Sequence, residues 1–177
     1  MNRLIALLDA LAEHTGRLVA WLTYGMLILT VLTVILRYGF RLSFTALGEG
    51  VSYLFAMVFM LGAAYTLKHD DHVRVDVLYR RLSPRGQAWV NILGTLLFLW
   101  PVMGLILWLS TDYVLASWSL LEGSREPGGL PFVYLLKTLL WVMPALMILQ
   151  GLADVLRSIA VLRGAPPVPT DHPRTEL

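Results

Sequence analysis

The sequence predicts an all-α integral membrane fold of four transmembrane helices, and three observations carry that expectation. The 177-residue chain is 57% hydrophobic and only 15% charged, against about 45–50% and about 25% in soluble domains. Four long stretches are almost free of charge. Their apolar runs are continuous, whereas barrel strands alternate over about ten residues. In lipid every backbone N–H and C=O has to be satisfied internally, and a helix does so within one segment.

Taken in order, the first element is short. Leu4, Leu7, Leu8 and Leu11 recur at helical spacing, with Asp9 and Glu13 on another face. This predicts an N-terminal amphipathic helix over 3–16, lying in the interface before the first span. A cleaved signal peptide fits less well, because the leading segment carries acids and no small-residue cleavage site follows its long apolar run.

The first span is predicted over 18–37, bounded by Arg17 and Arg37, and the second over 49–67, bounded by Glu49 and Lys68. The third is predicted over 86–112, between Arg85 and Asp112. Trp89 and Trp108 lie 19 residues apart along it, about 28 Å in a helix, which suits two interfacial aromatic belts. Pro101 between them should kink that helix by removing a backbone bond. The fourth is predicted over 131–157, with Pro131 in the first turn, where a missing N–H costs little. Pro144 should kink it, and Lys137 interrupts its apolar run. Residues 1–163 then form a single membrane domain, and the Pro-rich, polar 164–177 a disordered cytoplasmic tail.

Orientation follows from the basic residues. Arg3, Arg17, Lys68, Arg74, Arg80, Arg81, Arg85, Arg157, Arg163 and Arg174 fall on one side of a four-span chain, and Arg37, Arg41, Arg125 and Lys137 on the other. The excess predicts that both termini are cytoplasmic.

Several chemistries are excluded. The chain has no cysteine, so disulfides and thiolate chemistry are out. The four histidines, His14, His69, His72 and His172, all lie outside the spans, which argues against haem held by axial ligands in the bundle. There is no GxxxxGK phosphate loop and no nucleophile–base constellation. No basic stripe of the kind that neutralises phosphates suggests nucleic acid. No enzyme activity, no cofactor and no metal are expected.

The residues that remain are structural candidates. The segment Lys68-His69-Asp70-Asp71-His72-Val73-Arg74-Val75-Asp76 could ligate a divalent metal, but no third ligand stands elsewhere, so it reads as a polar cytoplasmic loop. Arg37 and Glu49 flank a short loop and could pair there, or stand as two separately solvated charges. Lys137 can snorkel outward, with Asp112, Glu122 and Glu126 as candidate partners. The loop 112–129 carries Val114, Leu115, Trp118, Leu120 and Leu121, either as a docking surface or as an extension of the third helix. Ser52, Ala56, Gly62, Ala63 and Ala64 permit close helix approach in the second span.

Together these residues resemble the small membrane subunit, of DctQ type, of tripartite ATP-independent periplasmic (TRAP) transporters. The resemblance covers about residues 17–157. It rests on Arg37-Tyr38, Glu49, Leu61-Gly62-Ala63-Ala64, His72-Val73-Arg74-Val75-Asp76, Gly129-Leu130-Pro131, Lys137 and Leu149-Gln150-Gly151, in that order across four spans. Gly50 departs from it, at a position where the family pattern has a second acid. The resemblance implies a subunit of the bacterial inner membrane with both termini inside. Its partners would be a large multi-helix permease subunit, which carries substrate and sodium by an elevator motion, and a periplasmic substrate-binding protein that delivers an organic acid. The small subunit would scaffold the moving one. Arg37, Glu49, His72, Asp76 and Lys137 would then maintain helix positions and subunit contacts. A self-sufficient homo-oligomeric small carrier is the alternative, and the near-absence of charge within the spans argues against it.

Overall fold

The computed structural model describes residues 2–69, 79 and 82–165. They are helical almost throughout, and no strand occurs among them. Helix α1 runs Asn2–Gly39 and α2 Thr45–Lys68. Helix α3, Pro84–Gly94, continues through a π-helical turn, Thr95–Leu99, into α4, Trp100–Ser119. Helix α5 runs Val133–Leu162. Counting 84–119 as one element, four helices among the described residues are long and apolar enough to cross a membrane.

The helices overrun the predicted spans because a charge ends a membrane crossing without ending a helix. Nothing in 3–17 breaks the backbone ladder, so the segment expected as a separate interfacial helix continues into the first span as one 38-residue helix. At 1.5 Å per residue that is about 57 Å, nearly twice a bilayer core of about 30 Å. Helix α3 begins where a helix start is expected, with Ser83 as N-cap accepting from the Gly86 N–H and Pro84 in the first turn.

The prolines act in three ways. Pro101 has no N–H to give, and its ring would crowd the carbonyl four residues back. The chain widens into the π turn just before it, and the Trp100 N–H bonds the Thr95 carbonyl five residues back. Pro144 is buried inside α5, which continues past it. Pro131 lies outside α5, contrary to its expected place in the first turn. Helix α5 takes Phe132 as N-cap, and the backbone at Pro131 is instead packed on Gly123, where a Cβ would come within 3.3 Å of its Cα.

Helix α5 is the post of the bundle. It contacts α1, α2, α3 and α4, with the α1–α2 hairpin on one side and the α3–α4 rod on the other. Its buried residues, among them Pro144, Met147, Gly151, Val155 and Ser158, recur every three or four positions and form one face. Close approach depends on glycine at two points. The Tyr65 ring occupies the space a Cβ at Gly16 would need, and a Cβ at Gly151 would stand 2.7 Å from Leu99 Cδ2 and 3.0 Å from Thr95 Cγ2. The outer faces of α1, the π turn and α4 are apolar and exposed, including Trp21, Ile28, Phe98, Trp108 and Leu109, as lipid-facing or partner-facing surfaces must be.

Candidate functional site

The polar chemistry of the chain is concentrated at the two ends of the bundle. One end holds the start of α1 and the ends of α2 and α5, and is called here the terminal end. The other, the distal end, holds the α1–α2 loop and the long loop 120–132.

At the distal end two carboxylates hold the long loop down. Glu49, in the first turns of α2, accepts the Ser124 hydroxyl on Oε1 and the Leu130 N–H on Oε2 at 2.7 Å. Gly129 makes this possible, since a Cβ there would stand 2.8 Å from Glu49 Oε1 and would collide with Ser124. The loop closes on itself as well, through Ser124 N–H to the Leu130 carbonyl at 2.9 Å and Tyr134 N–H to the Glu122 carbonyl at 3.3 Å.

The second carboxylate is Glu122. Its Oε2 accepts from Lys137 Nζ at 2.5 Å and from the Ser117 hydroxyl at 2.7 Å. A helical side chain leans toward the N-terminus of its helix, so Lys137, just over one turn into α5, points at this loop. It snorkels in the expected direction and ends on a carboxylate rather than in water. Its ammonium also lies 3.8 Å from the Tyr113 ring centroid, a cation–π contact. The Lys137 ammonium, the Ser117 hydroxyl and the charge of Arg125 hold the Glu122 carboxyl below its ordinary range, against the opposing effect of burial. Of the three partners considered for Lys137, Glu122 is the one in contact.

Arg37 and Glu49 do not pair. Both Glu49 oxygens are turned to the long loop, while the Arg37 guanidinium lies 5.9 Å from the Tyr38 ring centroid. The loop 112–129 begins as an extension of α4 to Ser119. Trp118 there donates to Thr138 Oγ1 at 2.9 Å and meets the Tyr134 ring edge-on. Leu120 and Leu121 stand exposed at its turn, with Leu121 at a positive φ of 46°.

At the terminal end three further bonds tie α1 to its neighbours. Asp9 Oδ1 accepts from Arg157 Nη2 at 2.5 Å and from Gln150 Nε2 at 3.4 Å. Arg157 also pairs with Asp154 at 3.0 Å. Glu13 accepts from Lys68 Nζ at 2.7 Å, with His69 Nε2 3.9 Å away and the His69 ring centroid 4.1 Å from that of Tyr65, the rings tilted by 38°. The sequence reading placed Asp9 and Glu13 on a polar helix face and missed these partners. The available signal was an Arg and a Lys at matching distances from the same membrane boundary on other spans. His72 and Asp76 lie outside the described residues.

This arrangement latches helices to one another and to a loop. Its main contacts are hydrogen bonds or ion pairs between elements that are separate in sequence. With four long apolar helices and latched ends in view, comparison with known proteins decides the family. Residues 26–161 match the family model described as the DctQ component of tripartite ATP-independent periplasmic transporters. The chain belongs to this family. A Haemophilus influenzae protein described as a TRAP transporter small permease is 38% identical to it over 74 residues. Those residues are 42% of this chain and 46% of the relative, so the match spans about half of that protein's length. No solved structure matches. Within this TRAP family chain, Glu49 meets the Gly129-Leu130-Pro131 run and Lys137 meets Glu122 in two latches at the same distal end.

Proposed function

We propose that this chain is the small permease subunit of a TRAP-type secondary transporter and that it braces a large, elevator-type permease subunit in the inner membrane. That partner would carry the substrate and the coupling sodium. A periplasmic binding protein would deliver the substrate, an organic acid. One observation supports the bracing role above others: Asp9, Glu13, Glu49, Lys68, Glu122, Lys137 and Arg157 all serve latches at the two ends of the bundle. The stretches between carry no Asp, Glu, Lys or Arg over 18–36, 50–67 and 86–111. A carrier keeps ionisable groups along its path; a brace needs only rigid ends and an apolar flank. In this reading Glu49 and Lys137 hold helix positions, and the segment with His72 and Asp76 contributes subunit contact.

Both termini are cytoplasmic in this reading, because ten of the fourteen Lys and Arg residues fall on the terminal side. Residues 1–163 act as one membrane domain and 164–177 as a tail. Purification of the tagged chain from its native membrane in mild detergent tests the proposal. Recovery of a much larger multi-helix permease in equal amount is the expected outcome. A homo-oligomer that moves solute by itself in liposomes would overturn it in favour of a self-sufficient carrier.

A further inference from the structure

Beside the distal latch, between the end of α1 and the start of α2, lies a cavity of about 360 Å³. That is within the usual range for small-ligand sites, about 300–1,000 Å³. Its wall carries Arg37 from α1 and Glu126 from the long loop. Among the described residues neither side chain has an ion-pair partner; Arg37 has only the Tyr38 ring nearby. Glu49 also reaches the cavity, with both oxygens already bonded to Ser124 and Leu130. Leu36, Leu42 and Phe44 form the apolar part of the wall. Arg37 closes the charge-free stretch 18–36, so the cavity lies where hydrocarbon gives way to headgroups.

We propose that this cavity binds the headgroup of a zwitterionic phospholipid bearing a primary ammonium, of the phosphatidylethanolamine type. The Arg37 fork takes two phosphate oxygens, a geometry that guanidinium matches well. The ammonium donates to the Glu126 carboxylate. The charge balance selects the zwitterion. One cation stands against two carboxylates in the wall, so a lipid of net negative charge would leave Glu126 facing more negative charge in a poorly screened place. A choline group carries charge without an N–H and cannot donate to Glu126. The apolar wall receives the glycerol and the first part of the acyl chains. A lipid so held fills the seam between α1 and α2 on the distal side.

The test uses the full chain, with whatever large partner copurifies, in mild detergent. It is titrated with phosphatidylethanolamine, phosphatidylcholine or phosphatidylglycerol of identical acyl chains, and retained lipid is read by native mass spectrometry. The ethanolamine lipid should be retained about tenfold more tightly than either of the others, and Arg37→Gln should weaken it by about tenfold, the scale of one charge-assisted hydrogen bond. Glu126→Gln, in an exposed loop position, should erase the preference over choline while leaving helicity and thermal transition unchanged. Equal retention of all three lipids, or both variants retaining ethanolamine lipid as the parent does, would overturn the proposal. So would displacement by soluble glycerophosphoethanolamine at the same concentration, which would mark a site for a free phosphoester. Loss of the large partner from Arg37→Gln with lipid retention intact would assign the arginine to a protein contact instead.

Discussion

Glu49 holds the backbone N–H of Leu130, 81 residues further along the chain, at 2.7 Å. This bond makes the long distal loop part of α2's surface rather than a free connection. The same carboxylate takes Ser124, so one side chain pins both arms of the loop. Glu49→Gln keeps the shape and loses the charge that strengthens both bonds. Amide exchange in detergent should then rise across 122–131, most at Leu130, while the cores of α1 and α4 keep their protection. Unchanged exchange at Leu130 would show that the loop is held by its own turns.

Lys137 and Glu122 form a coupled pair, and coupling predicts an order among variants. Removing one partner leaves the other charge without its counter-ion at the edge of the bundle, which costs more than removing both. Lys137→Met and Glu122→Gln should each lower the thermal transition in detergent. The double variant should recover part of the loss made by Lys137→Met alone. Strictly additive losses would mean that the two side chains do not act on each other.

The same pair sets a direction with pH. The Glu122 carboxyl is held below its usual range in the folded chain, first by the Lys137 ammonium. Its contribution is therefore fully present above the unfolded value, about 4.3 for glutamate, and is lost as pH falls through the depressed folded value. Between pH 7 and 5 this contribution is flat. Below about pH 4.3 it declines, and the difference in thermal transition between the parent chain and Glu122→Gln should shrink there. A difference that stays undiminished between pH 5 and pH 3 would remove Glu122 ionisation as its source.

How much of this was legible in the sequence depends on whether the signal was local. The crossings were, three as charge-free stretches of about twenty residues and the fourth as an apolar run broken once, because a run of that length and composition suits a bilayer core. Lys137 was legible as an anomaly, a cation inside an apolar run, and Glu122 stood among its candidate partners. The Glu49 latch was not, because its acceptor oxygens meet a backbone N–H and a serine hydroxyl, groups that every loop offers. The link from Asp9 to Arg157 joins the first helix to the last across 148 residues. In sequence Asp9 is only a polar residue on a leucine-rich helix. Gly151 was visible within the family-like Leu149-Gln150-Gly151 run, but that it faces the π turn could be seen only once that turn, and the pairing of α3 with α5, were known.

That packing gives a paired prediction on glycines. At Gly151 a new methyl would meet Leu99, Thr95 and Trp100 Nε1 at 2.7–3.1 Å, and two of the three belong to the widened turn that Pro101 imposes. Overpacking of this kind costs about 1–3 kcal/mol. Gly104 has nothing within 4 Å of its would-be Cβ, and alanine there should be neutral or gain up to about 1 kcal/mol from helix propensity. Chemical denaturation in mixed micelles should therefore separate Gly151→Ala from Gly104→Ala in opposite directions. Similar effects from both would deny the tight seat of α5 against the π turn.

Two aromatic side chains in the distal half supply the last contrast. The Trp118 indole N–H has a partner in Thr138 at 2.9 Å, while the Tyr53 hydroxyl is buried with none among the described residues. Tyr53 lines the second distal cavity with Glu122 and Lys137, so its hydroxyl sits among charges without bonding any of them. A buried polar group without a partner costs folding free energy, and removing it returns that cost. Tyr53→Phe should leave the chain as stable as the parent or raise it by about 1 kcal/mol, whereas Trp118→Phe should lower it by a similar amount through the lost bond to Thr138. Denaturation of the two variants side by side measures both. A clear loss of stability in Tyr53→Phe would mean that a water or a partner subunit satisfies the hydroxyl in the membrane, and retention of the large subunit by that variant would then decide between the two.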